Sequence, residues 1–380
     1  SPRVLGRRSP PAAPLRPACR GGAQWGPRAS PGAEAPPPYA PPPLSKGYLL
    51  GNDPFESAFV HEPQWYAAHD IDLRTGAFVT DVDLGRKSVS LLDGTEIAYD
   101  KLLLATGSRP RRLPLADDSG VPTAYLRTVE DSDRIRAAFG PGNRIVIIGA
   151  GWIGLEVAAA ARAAGTEVTV FEVAELPLLR VLGRRVAQAF ADLHRAHGVD
   201  LRLGTAVSAA DLAGATLVVV GVGVAPDASL AQGAGLAVSN GVLVDATLRT
   251  SHPDVYAVGD IANHDHPLLG RRVRVEHWDT AIEQAKVAAH NLVGGRRQRL
   301  TTGSPTSSPT STTSAWNTSG MPPLTPTPRS SCRAIWAPSS GGPIGCPAAW
   351  WSPACMSTSG APSTRSASRS ATRSPEAPLA

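Results

Sequence analysis

The chain has 380 residues with 37 basic and 32 acidic side chains, which gives a formal net charge of +5. The positive excess belongs to the two ends, because residues 44–300 carry 26 basic and 30 acidic side chains. A body with a weak negative charge gives no reason to expect nucleic acid as a partner. Apolar runs fall short of the ~18 residues that span a membrane, so we expect a cytoplasmic protein without a membrane partner.

The two ends have a composition that cannot form an ordinary core. Residues 1–43 contain 13 prolines, and residues 301–380 contain 30 serines and threonines and 13 prolines but no valine, tyrosine or aspartate. Such segments cannot bury enough apolar surface to offset their conformational entropy, so we predict disorder for residues 1–31 and 301–380. We expect neither a metal site nor a disulfide framework, because all four cysteines lie in these ends without the required spacing: Cys19, Cys332, Cys346 and Cys355.

Between the ends, short apolar strands alternate with helical segments. Helices are predicted for residues 131–139, 155–164 and 280–292, where apolar spacing, capping residues or stop residues mark them. An Asn-Gly pair at 240–241 predicts a hairpin turn. The alternation is typical of parallel sheets with crossover helices and predicts an α/β fold. Strands are predicted at residues 101–105, 144–148, 167–171, 217–220, 242–244 and 255–258.

A G-x-G-x-x-G motif follows the predicted strand at 144–148. It is formed by Gly149, Gly151 and Gly154. In dinucleotide sites the first glycine permits a tight turn, the second lets the backbone approach a pyrophosphate, and the third lets the helix pack on the strand. The phosphates then face the helix N-terminus, whose N–H groups and dipole favour negative charge. A glycine-rich turn without a ligand is the alternative.

An acidic residue ends the next predicted strand. Glu172 closes the run Glu-Val-Thr-Val-Phe-Glu, eighteen residues after Gly154. An acid at this place accepts the ribose hydroxyls of NAD. The next residues, Val173 and Ala174, offer no cation for a 2′-phosphate. We therefore predict a preference for NADH over NADPH.

Four further segments have a recognisable form: Pro42–Leu49, Tyr99–Pro110, Thr250–Asp260 and Val275–Gln284. The second and third resemble motifs of flavoproteins that bind both FAD and NAD. All four together resemble the ferredoxin reductase family, which includes putidaredoxin, rubredoxin and biphenyl-dioxygenase reductases, over about residues 32–299. The absence of cysteine from that range argues against the glutathione-reductase branch, whose hydride passes to a disulfide.

The resemblance implies two Rossmann-like dinucleotide-binding domains, one for FAD and one for NAD. Residues 32–110 and 241–300 would form the FAD domain, and residues 111–240 the NAD-binding domain. The family's C-terminal interface domain is replaced here by the low-complexity tail of residues 301–380. We expect a monomer or a weak dimer.

The resemblance also implies a reaction. FAD and NAD(H) would be the cofactors and an acidic iron–sulfur ferredoxin the partner, within a P450 or oxygenase system. FAD is needed because NADH releases two electrons as a hydride, whereas an iron–sulfur cluster accepts one at a time. By resemblance, Lys46 lies near flavin N5 and pairs with Glu156, which approaches the nicotinamide. The other residues that the resemblance assigns to cofactor binding are Ala105, Thr106, Gly107, Arg109, Gly223, Gly259, Asp260, Glu276, His277 and Trp278.

Several of these residues have a simpler interpretation. Glu156 can be an acid that the helix dipole favours in a first turn, and Lys46 a solvated loop lysine. Trp278 can be a core aromatic. A short basic run can face an acidic ferredoxin or form an ordinary solvated surface: Arg271, Arg272 and Arg274.

The chain departs from its family at both ends. The family begins with its own G-x-G-x-x-G for FAD and ends with a domain that covers the flavin, and this sequence has neither. In a shifted reading frame, residues 303–320 and 347–366 back-translate into sequences that resemble the family's C-terminal domain. We therefore expect frameshifts near Leu300 and before Gly32.

Three functions remain open at this point. The first is an NADH-dependent flavoprotein that reduces a ferredoxin. The second is a non-catalytic NAD-binding remnant that cannot hold FAD. The third is another NADH-dependent flavin reductase, similar to monodehydroascorbate or nitrite reductases. Because the NAD motif is one uninterrupted segment and the FAD motifs are scattered, we expect the chain to bind NAD far better than FAD.

Overall fold

The computed structural model describes residues 2–6, 28–294 and 298–301. The strands are, in chain order, β1 (Pro2–Gly6), β2 (Arg28–Pro31), β3 (Ile71–Arg74), β4 (Val79–Asp83), β5 (Ser88–Leu91), β6 (Glu96–Ala98), β7 (Lys101–Ala105), β8 (Ser108–Pro110), β9 (Thr123–Ala124), β10 (Arg144–Ile148), β11 (Glu167–Glu172), β12 (Asp200–Leu203), β13 (Leu217–Val220), β14 (Val224–Pro226), β15 (Val242–Val244), β16 (Val255–Ala257), β17 (Ala262–His266) and β18 (Arg271–Val273). The α-helices are α1 (Pro63–Ala68), α2 (Pro114–Asp117), α3 (Val129–Ala137), α4 (Trp152–Ala163), α5 (Leu179–Ala196), α6 (Ala209–Leu212), α7 (Ser229–Gly233) and α8 (Trp278–Leu292). Short 3-10 helices span Pro42–Ser45, Phe55–Ala58 and Gly259–Ile261.

A five-stranded parallel sheet has the order β12-β11-β10-β13-β9. Its central strand β10 is rich in β-branched residues. The side chains of Ile145 and Ile147 belong to one hydrophobic cluster, and those of Val146 and Ile148 belong to a second cluster. Both faces of the sheet are therefore covered, as parallel sheets require. Helix α4 follows β10 and α5 follows β11 as crossover helices. The predicted α/β class is confirmed.

A second parallel sheet has the order β1-β7-β16. The three leucines of β7, residues 102–104, are at most 1% exposed and share a core with β15, β16 and α8. An antiparallel sheet β4-β5-β6 contributes to the same core, and a mixed sheet has the order β15-β17-β18. The chain passes from the second parallel sheet to the five-stranded sheet through β8 and returns through β14. These two strands pair with each other in antiparallel orientation.

The predicted disorder of residues 1–31 is wrong for two segments. Strand β1 pairs in parallel with β7, and β2 pairs in parallel with β3. Composition does not predict these strands, because the hydrogen bonds between strands use backbone groups. The edge of β7 opposite β16 has backbone N–H and C=O groups with which a short segment can pair. The prediction for residues 301–380 lies outside the described residues, except Thr301, whose N–H donates to the Ala246 carbonyl at 3.1 Å.

Two local predictions can be compared with the backbone. Helix α3 begins before Asp131, because Thr128 is the N-cap and forms a reciprocal capping box with Asp131. The predicted hairpin turn is confirmed: Asn240 and Gly241 have φ values of 47° and 112°, and an antiparallel bridge closes the turn. Among the helices that the structure describes, none has the length and apolar character to cross a membrane.

Candidate functional site

The glycine turn after β10 is packed too tightly for a side chain at two of its three glycines. A Cβ on Gly149, whose φ is +103°, would lie 2.5 Å from the carbonyl oxygen of Gly221. A Cβ on Gly154 would lie 2.1 Å from the carbonyl oxygen of Gly149. On Gly151 the nearest such atom would be the Gly221 oxygen, at 4.0 Å. The first and third glycines therefore shape the turn, and the second leaves it open at the N-terminus of α4.

Glu172 lies beside this turn at the end of β11. Its Oε2 accepts a hydrogen bond from the Ala150 N–H at 2.8 Å, and its Oε1 accepts one from the Ala174 N–H at 2.9 Å. Val173 is 72% exposed, so the strand end opens to solvent. The structure thus brings the predicted acid and the predicted glycine turn together at the carboxyl ends of parallel strands, where nucleotides bind in such folds.

Glu156, two residues after the last glycine, forms a buried ion pair. The residue is 3% exposed, and the Lys46 Nζ lies 2.9 Å from both of its carboxylate oxygens. The Ser45 hydroxyl donates a further hydrogen bond to Oε2. Burial raises the pKa of the Glu156 carboxyl, and the Lys46 charge and the Ser45 hydrogen bond oppose that shift. The simpler interpretation of Lys46 as a solvated loop lysine is therefore wrong.

Helix α3 holds the segment that carries Lys46. The buried Ser132 hydroxyl donates to the Leu44 carbonyl at 2.8 Å. The Tyr48 hydroxyl donates to the Asp133 carboxylate at 2.6 Å, and the Arg136 guanidinium donates to the Tyr48 carbonyl at 3.2 Å. These bonds fix the chain on both sides of Lys46, so the ion pair joins two anchored segments rather than a loose loop and a helix.

A second polar group lies at the carboxyl ends of the paired strands β7 and β16. The Ser108 hydroxyl donates to Asp260 Oδ2 at 2.6 Å, and Asp260 is 9% exposed. The Thr106 hydroxyl donates to the Asp227 carbonyl at 2.6 Å, and the Asp227 N–H donates to the Gly107 carbonyl at 2.8 Å. Ala105, the last residue of β7, is 5% exposed. Ser108, which follows the Ala-Thr-Gly motif, therefore contacts Asp260 of the second predicted FAD motif.

Arg127 is a site residue that the sequence analysis missed. Its Nη2 lies 3.5 Å from Asp260 Oδ2, and the two side chains are 15% and 13% exposed. Arg127 precedes α3, the helix whose Ser132 holds Leu44. The short segment from Arg127 to Ser132 therefore links the Asp260 group to the Lys46 pair. No motif marks Arg127, whereas Ser108 lies within the Tyr99–Pro110 segment and Ser45 is the neighbour of Lys46.

The start of α8 carries three more predicted residues. His277 is the N-cap, and its Nδ1 accepts from the Asp279 N–H at 3.2 Å. Glu276 is exposed and pairs with the Arg274 guanidinium at 2.8 Å. Trp278 is 39% exposed, so its interpretation as a core aromatic is wrong. Farther along α8, Gln284 accepts from the Gly259 N–H at 2.8 Å and ties the helix to the Asp260 motif.

The remaining predicted residues lie at the edges of this site. Arg109 is exposed in β8, opposite Ala225 of β14. Gly223 is exposed, with a φ of +97°, and its carbonyl accepts from the Arg111 N–H at 3.0 Å. Both therefore belong to the connection between the two parallel sheets. Gly221, which the sequence analysis did not select, is the glycine that contacts the dinucleotide turn.

The basic run before α8 is not uniform. Arg271 and Arg272 are exposed in β18, and Arg272 donates to the Val244 carbonyl at 3.0 Å and to the Asn263 carbonyl at 2.8 Å. The Arg274 side chain is 10% exposed and is engaged with Glu276. Because burial removes Arg274 from the surface, it is unsuited to contact a partner protein directly.

The two nucleotides fit these groups unequally. The open backbone at Gly151 and the carboxylate of Glu172 suit the pyrophosphate and ribose of NAD. The buried Asp260 with Ser108 and Arg127 suits the polar chain of FAD, because it offers an acceptor for hydroxyls and a cation for phosphate. Residues 7–27, which follow β1, contain no G-x-G-x-x-G for the FAD pyrophosphate.

Comparisons with known proteins agree with this arrangement. Residues 29–285 match the pyridine nucleotide-disulphide oxidoreductase family. The chain is 44% identical over 277 residues to the ferredoxin–NAD(+) reductase component of the anthranilate 1,2-dioxygenase system of Burkholderia cepacia, covering 69% of this chain and 68% of that protein. It is 41% identical over 278 residues to putidaredoxin reductase of Pseudomonas putida, covering 68% and 66%. The chain thus spans about two thirds of the length of these relatives.

Solved structures show the same likeness. The covalent putidaredoxin reductase–putidaredoxin complex matches with a TM-score of 0.72 and 36% identity, over 78% of this chain and 76% of that chain. The ferredoxin reductase of the CYP199A2 system from Rhodopseudomonas palustris matches with a TM-score of 0.72 and 32% identity, over 79% and 77%. The predicted resemblance to ferredoxin reductases is confirmed, and the chain belongs to the pyridine nucleotide-disulphide oxidoreductase family.

Proposed function

We propose that this chain is an NADH-dependent flavoprotein that takes a hydride from NADH and passes single electrons to a small iron–sulfur ferredoxin. The observation that carries the proposal is the buried pair of Lys46 and Glu156. Glu156 follows the NAD turn directly, and Lys46 is tied through α3 to the Asp260 group. The pair is therefore linked to both proposed nucleotide sites, which supports hydride transfer from a nicotinamide to a flavin beside it.

On the NADH side, the chain's own residues bind and orient the dinucleotide. The open turn at Gly151 and the N-terminus of α4 would receive the pyrophosphate, since both favour negative charge. Glu172 would accept the ribose hydroxyls, and Val173 offers no cation for a 2′-phosphate. This arrangement supports NADH as the electron donor.

On the FAD side, Asp260, Ser108, Gly107 and Arg127 would hold the polar chain, and Trp278 would lie at the ring system. When bound, FAD supplies the conversion of a two-electron donor into a one-electron donor. The Lys46 ammonium would give a fixed positive charge beside the ring, and Glu156 would hold that ammonium in place. Both groups are already paired, so little reorganisation accompanies the reaction.

The partner and setting follow from the relatives. Their names describe reductases of oxygenase and putidaredoxin systems, and the complex matched above holds a putidaredoxin. We therefore propose an acidic iron–sulfur ferredoxin as the acceptor, serving an oxygenase or a P450. The exposed Arg271 supports an acidic partner. The domain boundaries given above, the cytoplasmic location and the monomeric or weakly dimeric state stay predictions.

A second candidate is an NAD-binding protein that does not hold FAD. The observation that favours it is the sequence between β1 and β2, which lacks the glycine motif for the FAD pyrophosphate. Such a protein would bind NADH through the turn at Gly151 and would show no reductase activity.

The deciding experiment is an acceptor assay with the full chain, FAD and NADH. We expect reduction of a small iron–sulfur ferredoxin, with NADPH a poorer donor. Glu156→Gln should slow this reduction, whereas Asp192→Asn on the exposed face of α5 should leave it unchanged. Faster reduction of monodehydroascorbate or nitrite than of any ferredoxin would favour the third function named in the sequence analysis, another NADH-dependent flavin reductase. NADH binding without reduction of any acceptor would favour the second candidate.

A further inference from the structure

Each carboxylate oxygen of Glu172 accepts one hydrogen bond from a backbone N–H group. Oε2 accepts from the Ala150 N–H at 2.8 Å, and Oε1 accepts from the Ala174 N–H at 2.9 Å. Ala150 is the residue between the first two glycines of the dinucleotide turn. The acid at the end of β11 is thus bonded to the turn that is expected to hold the pyrophosphate.

The same turn is held from its other side. The carbonyl of Ala150 accepts from the Leu178 N–H at 3.2 Å, and the Gly149 N–H donates to the Phe171 carbonyl at 2.8 Å. Leu178 is 7% exposed and has a left-handed φ of 55°, a conformation that leucine rarely adopts. A residue held in that conformation requires support from its surroundings. The segment after β11 therefore fixes both peptide groups of Ala150.

The hydrogen bonds to Ala150 keep the turn ordered, which favours ligand binding. Two of the three residues in Gly149-Ala150-Gly151 are glycines, which lose more conformational freedom on ordering than any other residue. A turn that must order on binding gives weaker binding than a preformed one. Two fixed contacts at Ala150 keep the turn in a single shape, with the open face at Gly151 directed to the ligand.

We propose that Glu172 is a positioning residue that holds the dinucleotide turn through the Ala150 N–H, in addition to accepting the ribose hydroxyls. This inference rests on the proposed NADH site. A carboxylate has about four acceptor positions, and the two backbone donors use only two of them, so the ribose hydroxyls can still be accepted. One side chain then couples recognition of the ribose to the shape of the pyrophosphate cradle.

A role of Glu172 in holding the turn can be distinguished from recognition of the ribose alone. A residue that only accepts ribose hydroxyls should not matter to a ligand without those hydroxyls. A residue that holds the turn should matter to any ligand with a pyrophosphate. Glu172→Gln makes a smaller change without a cavity, because its amide oxygen can accept from only one of the Ala150 and Ala174 N–H groups and its amide nitrogen can accept from neither.

The experiment compares ADP with 2′,3′-dideoxy-ADP by calorimetric titration of the full chain and its variants. We expect Glu172→Ala to weaken binding of the dideoxy ligand by about tenfold, the loss typical of a broken hydrogen bond to a charged group, and Glu172→Gln to weaken it less because one acceptor remains. The matched control is Glu175→Ala, an exposed acid three residues further along that pairs with Arg184 at the surface. This control should leave both affinities unchanged.

Amide hydrogen exchange without nucleotide gives a second readout. The Ala150 and Ala174 amides should exchange faster in Glu172→Ala than in the wild type, while amides in the centre of α4 keep their protection. Unchanged dideoxy-ADP affinity together with unchanged Ala150 exchange would overturn the inference and leave the NADH site intact. Failure of the wild-type chain to bind ADP and NADH at all would instead overturn the proposed NADH site.

Discussion

The ammonium of Lys46 lies 2.9 Å from both carboxylate oxygens of Glu156, although 110 residues separate the two in sequence. The Glu156 side chain is 4% exposed and the Lys46 side chain 18% exposed, so the pair is largely removed from water. A buried charge that loses its partner pays a desolvation cost without compensation. The pair is therefore expected to matter to stability as well as to the proposed reaction.

Removal of the Lys46 charge should destabilise the protein. We expect Lys46→Met to lower the free energy of unfolding by about 2–4 kcal/mol, because it leaves a buried carboxylate with only the Ser45 hydrogen bond. Urea denaturation measures this change. Lys87→Met is the matched control: Asp254 keeps Lys101 as a partner and Lys87 is 44% exposed, so the loss should stay within about 1 kcal/mol. Equal effects of the two variants would show that the Glu156 pair has no special cost.

Only part of this site could be predicted from the sequence. The NAD turn was predictable from residues alone, because its strand, glycines, helix and acid lie in one stretch from 144 to 172. The pairing of Lys46 with Glu156 came only from the resemblance, since neither periodicity nor spacing relates two residues so far apart. Arg127 was missed because its contact with Asp260 depends on the way α3 packs, and no local pattern marks it. Strand β1 was missed because backbone pairing is independent of composition.

The three glycines of the turn should respond differently to alanine. We expect Gly154→Ala to lower stability by about 1–3 kcal/mol or more, because its Cβ would overlap the Gly149 carbonyl oxygen. Gly151→Ala should change stability by less than about 1 kcal/mol, since Gly151 has an ordinary extended backbone and open space around it. The same change should weaken NADH binding by filling the space for the pyrophosphate. Undiminished NADH affinity in Gly151→Ala would place the ligand elsewhere.

Acid stability should depend on Asp254. Hydrogen bonds and charges from Lys101 and Lys87 lower the pKa of Asp254 from 3.8 to about 2 in the folded chain. A carboxyl with a lowered folded pKa contributes stability that is present above about pH 4 and lost as the pH falls towards 2. We therefore expect the stability difference between the wild type and Asp254→Asn to shrink across that interval. Thermal unfolding at successive pH values measures it, and a constant difference would contradict the lowered pKa.

The purified chain should contain little flavin. The proposed NAD site is one continuous segment, whereas residues 7–27 contain no glycine motif that would place a helix N-terminus at the FAD pyrophosphate. We expect less than one FAD per chain after purification, and tighter binding of NADH than of FAD. The control is a version whose reading frame is changed at the two predicted frameshifts, which should purify yellow. Stoichiometric flavin in the unaltered chain would contradict the expected weakness of its FAD site.

The most direct test of the central claim is the visible absorption of the flavin when NADH is added, without oxygen, to the full chain saturated with FAD. We expect the flavin band to bleach, the rate of bleaching to saturate with NADH concentration, and NADH to be a better donor than NADPH. In Glu156→Gln the flavin band should bleach more slowly than in the wild type, while the affinity for FAD stays unchanged. A bound flavin that stays oxidised in saturating NADH would contradict the proposal that this chain carries electrons from NADH to its flavin.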